Sequence, residues 1–378
     1  MLLLEAMEPG WGGSGRNNGQ VIPNLTRLDP DALVARDGAA GERFVALLRD
    51  SANLLFDTVG RHAIAAEAEQ TGWVQPAHTP GRVRLAERRV QQWIRWGAPV
   101  EMLDRDLLRS MVGSDFWYGG YWNRSGGHIN PLALARGLAQ AVLASGGQIR
   151  ARSPVLSMER SEGRWLVRTA AGEVRARALI LATNAYTDVF SSGLAPPVAH
   201  EAVPVLSWQM ATAPLDPALR AQVLPGNQAM SDTHGDLHFA RWDARGRLIT
   251  GGGLAVAFNG AARLRRRIGA RLARIWPQLG TPQFDHVWTG RIGATLDSAP
   301  RFHVLGPDAW GWAGCNGRAV ALAFGIGQEF ARLANGLPAG EAALPFGPTT
   351  PLPLHGLVRR VAPLKLLLYR WRDSREIA

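Results

Sequence analysis

The sequence predicts an α/β fold made of two interleaved domains, and three observations indicate it. Apolar runs of the kind that form buried parallel strands occur near residues 1–10, 178–183 and 310–314. Antiparallel-type strands and amphipathic helices separate these runs. The sequence contains no internal repeat or low-complexity segment. Each domain is therefore expected to be assembled from parts of the chain that are distant in sequence.

The N-terminal segment contains a glycine pattern that does not fit its usual structural context. The pattern G-x-G-x-x-G is formed by Gly10, Gly12 and Gly15. In a dinucleotide-binding unit it closes a strand and opens a helix, and an acidic residue ends a second strand ~20 positions later. After Gly15 the sequence is polar and reaches Pro23, which disfavours a packed helix. We therefore interpret these glycines as part of a flexible loop.

The apolar run Leu2–Leu4, which ends in Glu5, fits a different part of such a unit. It is typical of the second strand of a Rossmann-like domain, where the terminal carboxylate binds a ribose 2′-hydroxyl. On this interpretation the first strand, the phosphate turn and the first helix precede Met1, as a missing piece of about 30 residues. We expect weak dinucleotide binding without that piece, since its amides neutralise the pyrophosphate. A start codon placed too far downstream and a decayed gene are the two explanations, and the intact downstream pattern favours the first.

The remaining elements follow from apolar periodicity and from turn residues. Helices are predicted at 40–61, 80–96, 131–146, 259–275 and 317–335. Asn130 and Pro131 give the third helix a cap and a first turn. Strands are predicted near 148–151, 154–160, 164–169, 173–177 and 178–183, and as an antiparallel set within 203–252. Residues 284–295 lead to a last strand at 310–315.

These elements divide the chain into two discontinuous domains and a tail. The nucleotide-binding domain is predicted to comprise residues 1–60, 125–190 and 285–345. The antiparallel-sheet substrate domain is predicted to comprise residues 61–124 and 191–284. Residues 346–378 form a C-terminal tail with a basic amphipathic helix, for which docking on the protein itself is favoured over weak contact with a membrane surface or a partner.

Composition describes a globular chain with a strong arginine bias. The 378 residues are 46% hydrophobic and 19% charged, and the formal net charge is +11. Such a charge ordinarily suggests nucleic acid or an anionic membrane as a binding partner. Lys365 is the only lysine, however, so the positive charge is spread along the chain as arginine and we expect no nucleic-acid partner. The densest basic run, residues 263–274, is interpreted as a solvated helix face.

The single cysteine, Cys315, excludes an intramolecular disulfide and is compatible with a reducing compartment. No zinc-binding spacing of cysteine and histidine is present, so no metal site is predicted. The N-terminus lacks a basic segment before its apolar residues, and no apolar run reaches the ~18 residues of a membrane span. We expect a cytoplasmic protein.

Seven blocks in a fixed order resemble the FAD-dependent D-amino acid oxidase superfamily, in its γ-glutamylputrescine oxidoreductase-like branch. They are LLLEAMEPGWGGSGRNNGQ, HINPLALARGLAQAVLASGGQIRARSPV, VRTAAGEVRARALILATNAYT, VPVLSWQMATAPL, GRLITGGG, GRIGATLDSAPRF and GWAGCNGRAVALAFGIG. The resemblance covers nearly the whole chain. It implies a Rossmann-like FAD-binding domain, here without its first strand, turn and helix, interleaved with an antiparallel-sheet substrate domain.

The resemblance also assigns a set of cofactor-binding residues. They are Glu5, Ser14, Gly15, Arg16, Asn17, Gln20, Val155, Ala182, Thr183, Asn184, Arg291, Gly314, Asn316, Gly317, Arg318 and Ala319. Glu5 is assigned to the adenosine ribose and Val155 to adenine. The loop 14–20 lies against the flavin and its diphosphate, where small residues permit close backbone approach. The turn 314–319 opens a helix whose positive end stabilises the charge of a reduced flavin.

The chemistry implied is oxidation of a carbon–nitrogen bond in an amine or amino acid. A hydride equivalent passes to flavin N5, the imine hydrolyses, and molecular oxygen or another acceptor takes the electrons. Candidates for substrate-side catalysis are His238, Arg241 and Arg318. His238 is a candidate for polarising the amine or taking its proton, and Arg241 for holding a substrate carboxylate. For His238, a role as a solvated or core histidine is favoured over catalysis. For Arg241, a surface role and carboxylate binding have equal weight.

Two positions depart from the sarcosine-oxidase relatives, which carry a histidine and a lysine in the last turn. Here Arg318 and Ala321 occupy them, which argues against a sarcosine-like substrate. Cys315 lies at the pyrimidine end of the flavin in this comparison, so we expect non-covalent FAD and an inert thiol. The alternatives are an inactive FAD-fold remnant acting as a basic binding protein, and a flavin enzyme of another reaction type, such as a hydroxylase.

Overall fold

A computed structural model describes residues 1–376 of the chain and confirms the mixed α/β class. The helices are α1 (Gly13–Arg16), α2 (Pro30–Arg61), α3 (Pro80–Arg95), α4 (Arg105–Val112), α5 (Pro131–Ala144), α6 (Pro196–Ala199), α7 (Pro217–Arg220), α8 (Gly260–Ile275), α9 (Ala319–Ala334), α10 (His355–Val361) and α11 (Lys365–Glu376). The helices predicted from periodicity are confirmed. Helix α2 begins ten residues earlier than predicted, because a kink at Gly38 (φ 55°) interrupts its pattern without ending it.

The strands fall into one large sheet and several small ones. They are β1 (Leu2–Leu4), β2 (Gln20–Val21), β3 (Trp73–Pro76), β4 (Val100–Leu103), β5 (Gly120–Asn123), β6 (Gly127–His128), β7 (Gln148–Arg150), β8 (Val155–Ser161), β9 (Arg164–Thr169), β10 (Gly172–Ala176), β11 (Leu179–Leu181), β12 (Val203–Thr212), β13 (Ala229–Ser231), β14 (Phe239–Trp242), β15 (Leu248–Gly252), β16 (Phe284–Ala294), β17 (Arg301–Gly306) and β18 (Ala309–Ala313).

The parallel strands predicted from the three apolar runs are present, in two small sheets. Strand β1 pairs in parallel with β7, and β11 pairs in parallel with β18, which also pairs with β17. Strands β8, β9 and β10 form a separate antiparallel meander. The two parallel pairs border the same cavity. The strand ends that carry predicted cofactor residues therefore face a common space.

The large sheet has eight strands in the order β16-β12-β15-β14-β13-β3-β5-β4. In its first half, β12, β15 and β14 belong to the antiparallel set predicted within 203–252, and β16 was not predicted as a strand. Its second half, β3, β5 and β4, was not predicted, since each strand has only four residues and β3 is buried on both faces and so does not alternate. Strand β3 joins the halves by pairing in parallel with β13.

Two hydrophobic clusters hold the layers together. The first packs α2 and α9 against β17 and β18, with Phe44 in edge contact with Phe302 at a ring distance of 5.4 Å. The second lies between the large sheet and α8, where Trp117, Trp242 and Trp276 are almost fully buried. The first cluster also includes Trp73, Trp93 and Tyr121, so it joins α3 and the β3–β5 part of the large sheet to α2 and α9.

The C-terminal segment runs back across the molecule after α9. The Gly347 amide donates to the Phe302 carbonyl, and the Leu352 amide donates to the His200 carbonyl. Helices α10 and α11 follow and end beside His78 and Arg82 of the substrate domain. In the part of the chain that the structure describes, no helix combines the length and hydropathy needed to cross a bilayer.

The α2–β17 contact can be tested by truncating its central side chain. Phe44→Ala should lower the free energy of unfolding by about 3–5 kcal/mol, because Phe44 is fully buried and its removal leaves a cavity. Phe258→Ala is the matched control, since Phe258 is 83% exposed, and it should change stability by less than about 0.5 kcal/mol. Urea denaturation of both variants measures the difference, and equal losses would contradict the assigned core.

Candidate active site

A single large cavity of about 2010 Å³ lies between the two parallel sheets and the large antiparallel sheet. Sites for drug-sized ligands have volumes of about 300–1,000 Å³, so this cavity has room for a large ligand and a small one together. All predicted cofactor residues except Gly15 and Gly314 line it. Of the catalytic candidates, Arg318 lines it, whereas His238 and Arg241 lie behind its wall.

At one end of the cavity, Glu5 follows β1. Its backbone pairs with Arg150 and Ser153, and its Oε1 accepts a hydrogen bond of 2.9 Å from the Met7 amide. Val155, at the start of β8, lines the cavity nearby. These contacts fix the strand end on which the predicted ribose and adenine contacts lie.

The loop 11–20 is held by contacts made with its own side chains. Arg16 Nε donates to the Trp11 carbonyl at 2.6 Å, and its Nη1 donates to the Thr289 carbonyl of β16. Asn17 Nδ2 donates to the Ser14 carbonyl, and its Oδ1 accepts from the Gly19 amide. The side chains of Arg16 and Asn17 are thus occupied in holding the shape of the loop. The loop is therefore expected to contact a ligand through its backbone.

Gln20 fastens the end of this loop to the large sheet. Its Nε2 donates to the Met230 carbonyl at 2.8 Å, and its Oε1 is buried without a hydrogen-bond partner among the described residues. Arg241 makes a second attachment, since Nε donates to the Asn18 carbonyl and Nη1 to the Trp242 carbonyl. Burial lowers the pKa of Arg241 to about 10. Arg241, predicted as a carboxylate ligand, therefore uses its donors on backbone carbonyls.

The other side of the cavity is formed by a strand end and a glycine-containing turn that lock together. Asn184 Oδ1 accepts from the Gly314 amide at 3.1 Å. Asn316 Oδ1 accepts from the Thr295 amide, and its Nδ2 donates to the Gly314 carbonyl. Gly314 has φ 77°, and a Cβ there would lie 2.5 Å from Thr295 Cγ2, so this position requires glycine.

Arg291 and Thr183 complete this side. The Arg291 amide donates to the Tyr186 hydroxyl, and the guanidinium lies 5.7 Å from the centre of that ring. The Thr183 and Thr187 hydroxyls are 2.7 Å apart. Ala182, Gly317 and Ala319 present small surfaces to the cavity, and Cys315 is a buried free thiol on its wall.

Arg318 is a buried cation with an unused donor. It caps α9, its guanidinium lies 5.1 Å from the centre of the Trp73 ring, and Nε donates weakly to Thr26 Oγ1 at 3.4 Å. Its Nη1 is buried without a hydrogen-bond partner within residues 1–376. Burial lowers the pKa of Arg318 to about 10, and it remains charged at neutral pH. Such a cation at a cavity wall favours an anionic ligand.

A carboxylate with stacked imidazoles forms a part of the wall that was not predicted. Asp232 Oδ2 lies 2.5 Å from His234 Nδ1 and 3.2 Å from His238 Nδ1, and it accepts from Trp117 Nε1 at 3.1 Å. The rings of His78, His234 and His238 stack with centroid separations of 3.9 and 4.0 Å. Burial raises the pKa of Asp232, but its contacts with His238 and His234 lower that pKa by more. The pKa of Asp232 therefore lies well below its usual range.

One ligand atom from each of Asp232, His234 and His238 lies within 4.8 Å of the others. Both Nδ1 atoms lie within 3.2 Å of Asp232 Oδ2, so this carboxylate oxygen occupies the point on which the two rings converge. We therefore interpret the group as a hydrogen-bonded carboxylate–imidazole cluster. The spacing D-x-H-x-x-x-H at 232–238 was the sequence signal for it, but His78 joins only through the pairing of β3 with β13.

The tail closes the substrate-domain end of the cavity. Asp373 accepts from the Gly235 amide at 2.9 Å, and Glu376 forms an ion pair of 2.7 Å with Arg82. Arg271 and Arg370 both contact Asp236, at 3.1 and 2.9 Å. Arg271 is buried, so the run 263–274 is not the fully solvated face that was predicted. Its inner arginines neutralise a carboxylate at the cavity edge.

Comparisons with known proteins agree with this arrangement. The model of the FAD dependent oxidoreductase (DAO) family matches residues 1–333. The chain is 29% identical over 338 residues to γ-glutamylputrescine oxidoreductase of Escherichia coli, covering 89% of this chain and 78% of the relative. Its fold is similar to glycine oxidase from Geobacillus kaustophilus (TM-score 0.75, 17% identity, 93% and 92% coverage) and to L-proline dehydrogenase from P. horikoshii (TM-score 0.75, 16% identity, 91% and 90% coverage).

The residues present fit an FAD cofactor. The cavity runs from Glu5 to the N-terminal end of α9, a helix of 16 residues whose cap makes no side-chain hydrogen bond to its free amides. Gln20 Oε1 and Gln209 Oε1 are buried polar atoms without partners in the described part of the chain, and both side chains line the cavity. Glycines at the loop and at the turn leave the backbone accessible.

The histidine stack predicts a pH dependence of stability. Burial and the neighbouring His234 lower the pKa of His78 to about 4. Between pH ~6.5, the pKa of an unperturbed histidine, and pH about 4, the unfolded chain binds a proton at His78 that the folded protein does not. The stability associated with neutral His78 is therefore fully present above pH ~6.5 and is lost as the pH falls. The free energy of unfolding should therefore fall by up to about 1.4 kcal/mol per pH unit from this group.

His78→Gln should flatten that slope between pH 6.5 and 4, measured by urea denaturation at several pH values. His62→Gln is the control, because His62 is exposed on the end of α2, and it should leave the slope unchanged. A slope that is the same in wild type and in His78→Gln would contradict the assigned neutral state of His78.

Proposed function

Since this chain belongs to the FAD dependent oxidoreductase (DAO) family, we propose that it oxidises a carbon–nitrogen bond of an amine or amino acid of the γ-glutamylputrescine type. The observation that carries the proposal is that one cavity joins the predicted cofactor residues to a buried cation, Arg318, and a buried carboxylate, Asp232. These two charges suit a substrate that has both a carboxylate and an amine.

FAD would be held by the residues predicted for it. Glu5 and Val155 would contact the adenosine. The backbone of the loop 14–20 would contact the middle of the cofactor. The flavin would be contacted by the segments 182–184 and 314–319. When bound, FAD supplies a two-electron acceptor that takes a hydride equivalent at N5 from the carbon beside the amine nitrogen, and the resulting imine is hydrolysed. The protein's part is to orient the substrate and exclude competing water.

Arg318 is proposed to bind the substrate carboxylate. Its buried Nη1 has no partner among the described residues, so an arriving carboxylate would satisfy the donor and neutralise the charge at once. The fixed position of its backbone in the turn before α9 would set the distance between that carboxylate and the flavin. A substrate with a carboxylate at the right distance from its amine is thereby selected.

Asp232 and His234 are proposed to face the amine end. The ionised carboxylate provides a negative potential that attracts an ammonium group. His234 Nδ1 is hydrogen-bonded to it, and this imidazole lines the cavity where an amine could transfer a proton before oxidation. His238, the residue predicted for this role, stacks behind His234 and would act through it.

The proposal is tested first with the purified chain supplied with FAD. The protein should acquire a visible flavin spectrum, and γ-glutamylputrescine should bleach it under anaerobic conditions as the flavin is reduced. Oxygen uptake and dye reduction under turnover then identify the electron acceptor. Because weak FAD binding is expected for this chain, the cofactor is supplied in large excess, and a chain that binds no FAD even then would favour the inactive remnant. Bound FAD that no amine or amino acid reduces would favour another reaction type.

A second test addresses Arg318. Arg318→Gln should lower kcat/KM for γ-glutamylputrescine roughly 100-fold, the scale expected when one partner of a buried charge pair is removed. For putrescine, which has no carboxylate, the same variant should change kcat/KM by less than about threefold from wild type. Equal losses for the two substrates would contradict carboxylate binding by Arg318, provided that flavin spectra show full FAD occupancy.

A further inference from the structure

An amphipathic helix on a protein surface usually packs its apolar face on the protein, but the tail helices α10 and α11 contact the protein mainly through polar side chains. Their polar residues face the protein, where His355 Nε2 contacts the Ala202 carbonyl, Arg359 pairs with Asp188 at 2.7 Å, and Arg370 pairs with Asp236. Asp373 is buried and accepts from the backbone of the substrate domain. The tail is therefore attached through charges and hydrogen bonds.

Six of its apolar residues face solvent, whereas Leu366 and Tyr369 face the protein. We call the apolar stripe the six side chains Leu357, Val361, Leu364, Leu367, Leu368 and Trp371, all of which are exposed. They recur every three or four positions along the continuous helical run of α10, a short 3₁₀ turn and α11, so they lie along one face. Trp371 is 51% exposed, which is unusual for so large an apolar side chain.

Basic residues flank the apolar stripe. Arg360, Lys365, Arg372 and Arg375 are exposed. The only acidic residues of the tail helices are Asp373 and Glu376, and both are bound to the substrate domain. The outward face of the tail is therefore apolar at its centre and positive at its margins. The chain as a whole has a net charge of +11, which adds to this field.

We propose that this face binds an anionic lipid surface. A helix whose apolar side includes leucine and tryptophan, with arginine and lysine beside them, lies in the plane of the interface and buries its apolar side among acyl chains. Tryptophan prefers the headgroup level, and the flanking cations attract acidic lipids. A second copy of the chain is a poorer occupant, since it would bring the same positive margins into contact.

A neighbouring loop extends the same surface. Val256 and Phe258 are exposed just before α8. The loop is adjacent to α11, because Arg370 Nη2 donates to the Gly253 carbonyl at 2.9 Å and Leu366 packs on Gly253. The exposed Phe258 is therefore a further apolar side chain on a loop next to α11.

Lipid binding would also act on the cavity. The inner face of α11 contributes Tyr369, Asp373 and Glu376 to the cavity wall. A bilayer that holds the outer face of α11 therefore holds one wall of the substrate end in place. This provides a physical link between membrane attachment and the geometry of the proposed active site.

The experiment is sedimentation of the full chain with vesicles. Wild type should bind vesicles of phosphatidylglycerol and phosphatidylethanolamine, and bind phosphatidylcholine vesicles at least tenfold more weakly. Binding to the anionic vesicles should weaken as salt is raised. Trp371→Ser should weaken the partition roughly tenfold through lost apolar burial, and each of Arg360→Gln and Arg375→Gln about fivefold.

Matched controls use residues outside the tail. Ile94→Ser removes an apolar side chain that is 55% exposed on α3, and Arg88→Gln removes an exposed cation on the same helix. Neither should change vesicle binding by more than about twofold. Because all the substituted side chains are exposed, the variants should fold like wild type, which circular dichroism checks.

Several outcomes would overturn the proposal. Wild type that stays in the supernatant with anionic vesicles has no lipid-binding face. Equal losses in the Ile94→Ser and Trp371→Ser variants would exclude the apolar stripe as the site. A homodimer in solution that Trp371→Ser converts to a monomer, without vesicle binding by either form, would assign the apolar stripe to self-association.

Discussion

The attachment of the N-terminal loop to the large sheet is the constraint on which the cavity depends. Arg241 reaches from β14 to the Asn18 carbonyl, and Gln20 reaches back to the Met230 carbonyl. Both side chains are buried, so neither could be withdrawn without leaving polar groups unsatisfied. The loop that is predicted to touch the cofactor and the sheet that forms the substrate side are therefore fixed to each other. Gly19, with φ 79°, permits this close approach because any Cβ would strike the Ile129 carbonyl.

Charge is distributed over the cavity in a way that apolar packing alone would not produce. One wall holds a cation with a free donor, and another holds a carboxylate surrounded by imidazoles. At the cavity edge, by contrast, Arg271 and Arg370 are paired with Asp236. Buried charges are costly unless they are compensated, so the donor of Arg318 that has no partner among the described residues marks a position where an anionic ligand would complete the pairing. This distribution of charge is consistent with the bipolar substrate proposed above.

The sequence predicted the helices and the parallel strands well because their signals are local. Periodicity located α3 and α8 to within a residue, and the run ending at Ala182 was assigned to a parallel strand. The short strands β3 and β5 were missed, since their four buried residues show no alternation. The histidine stack was missed because His78 and His234 are far apart in sequence. The interface role of Arg241 could not be predicted, since an arginine's partners depend on the whole fold.

The amphipathic tail shows the same limit, since periodicity predicted an amphipathic helix but not which face meets the protein. Its single lysine has a further chemical meaning. Oxidation of a primary amine, followed by hydrolysis of the imine, yields an aldehyde, and aldehydes condense with lysine amines to form Schiff bases. Lys365 is the only lysine in the sequence, and it lies 5.5 Å from the centre of the Tyr369 ring on the helix that lines the cavity. A chain so rich in arginine offers such a product one side-chain amine, and that amine lines the same cavity.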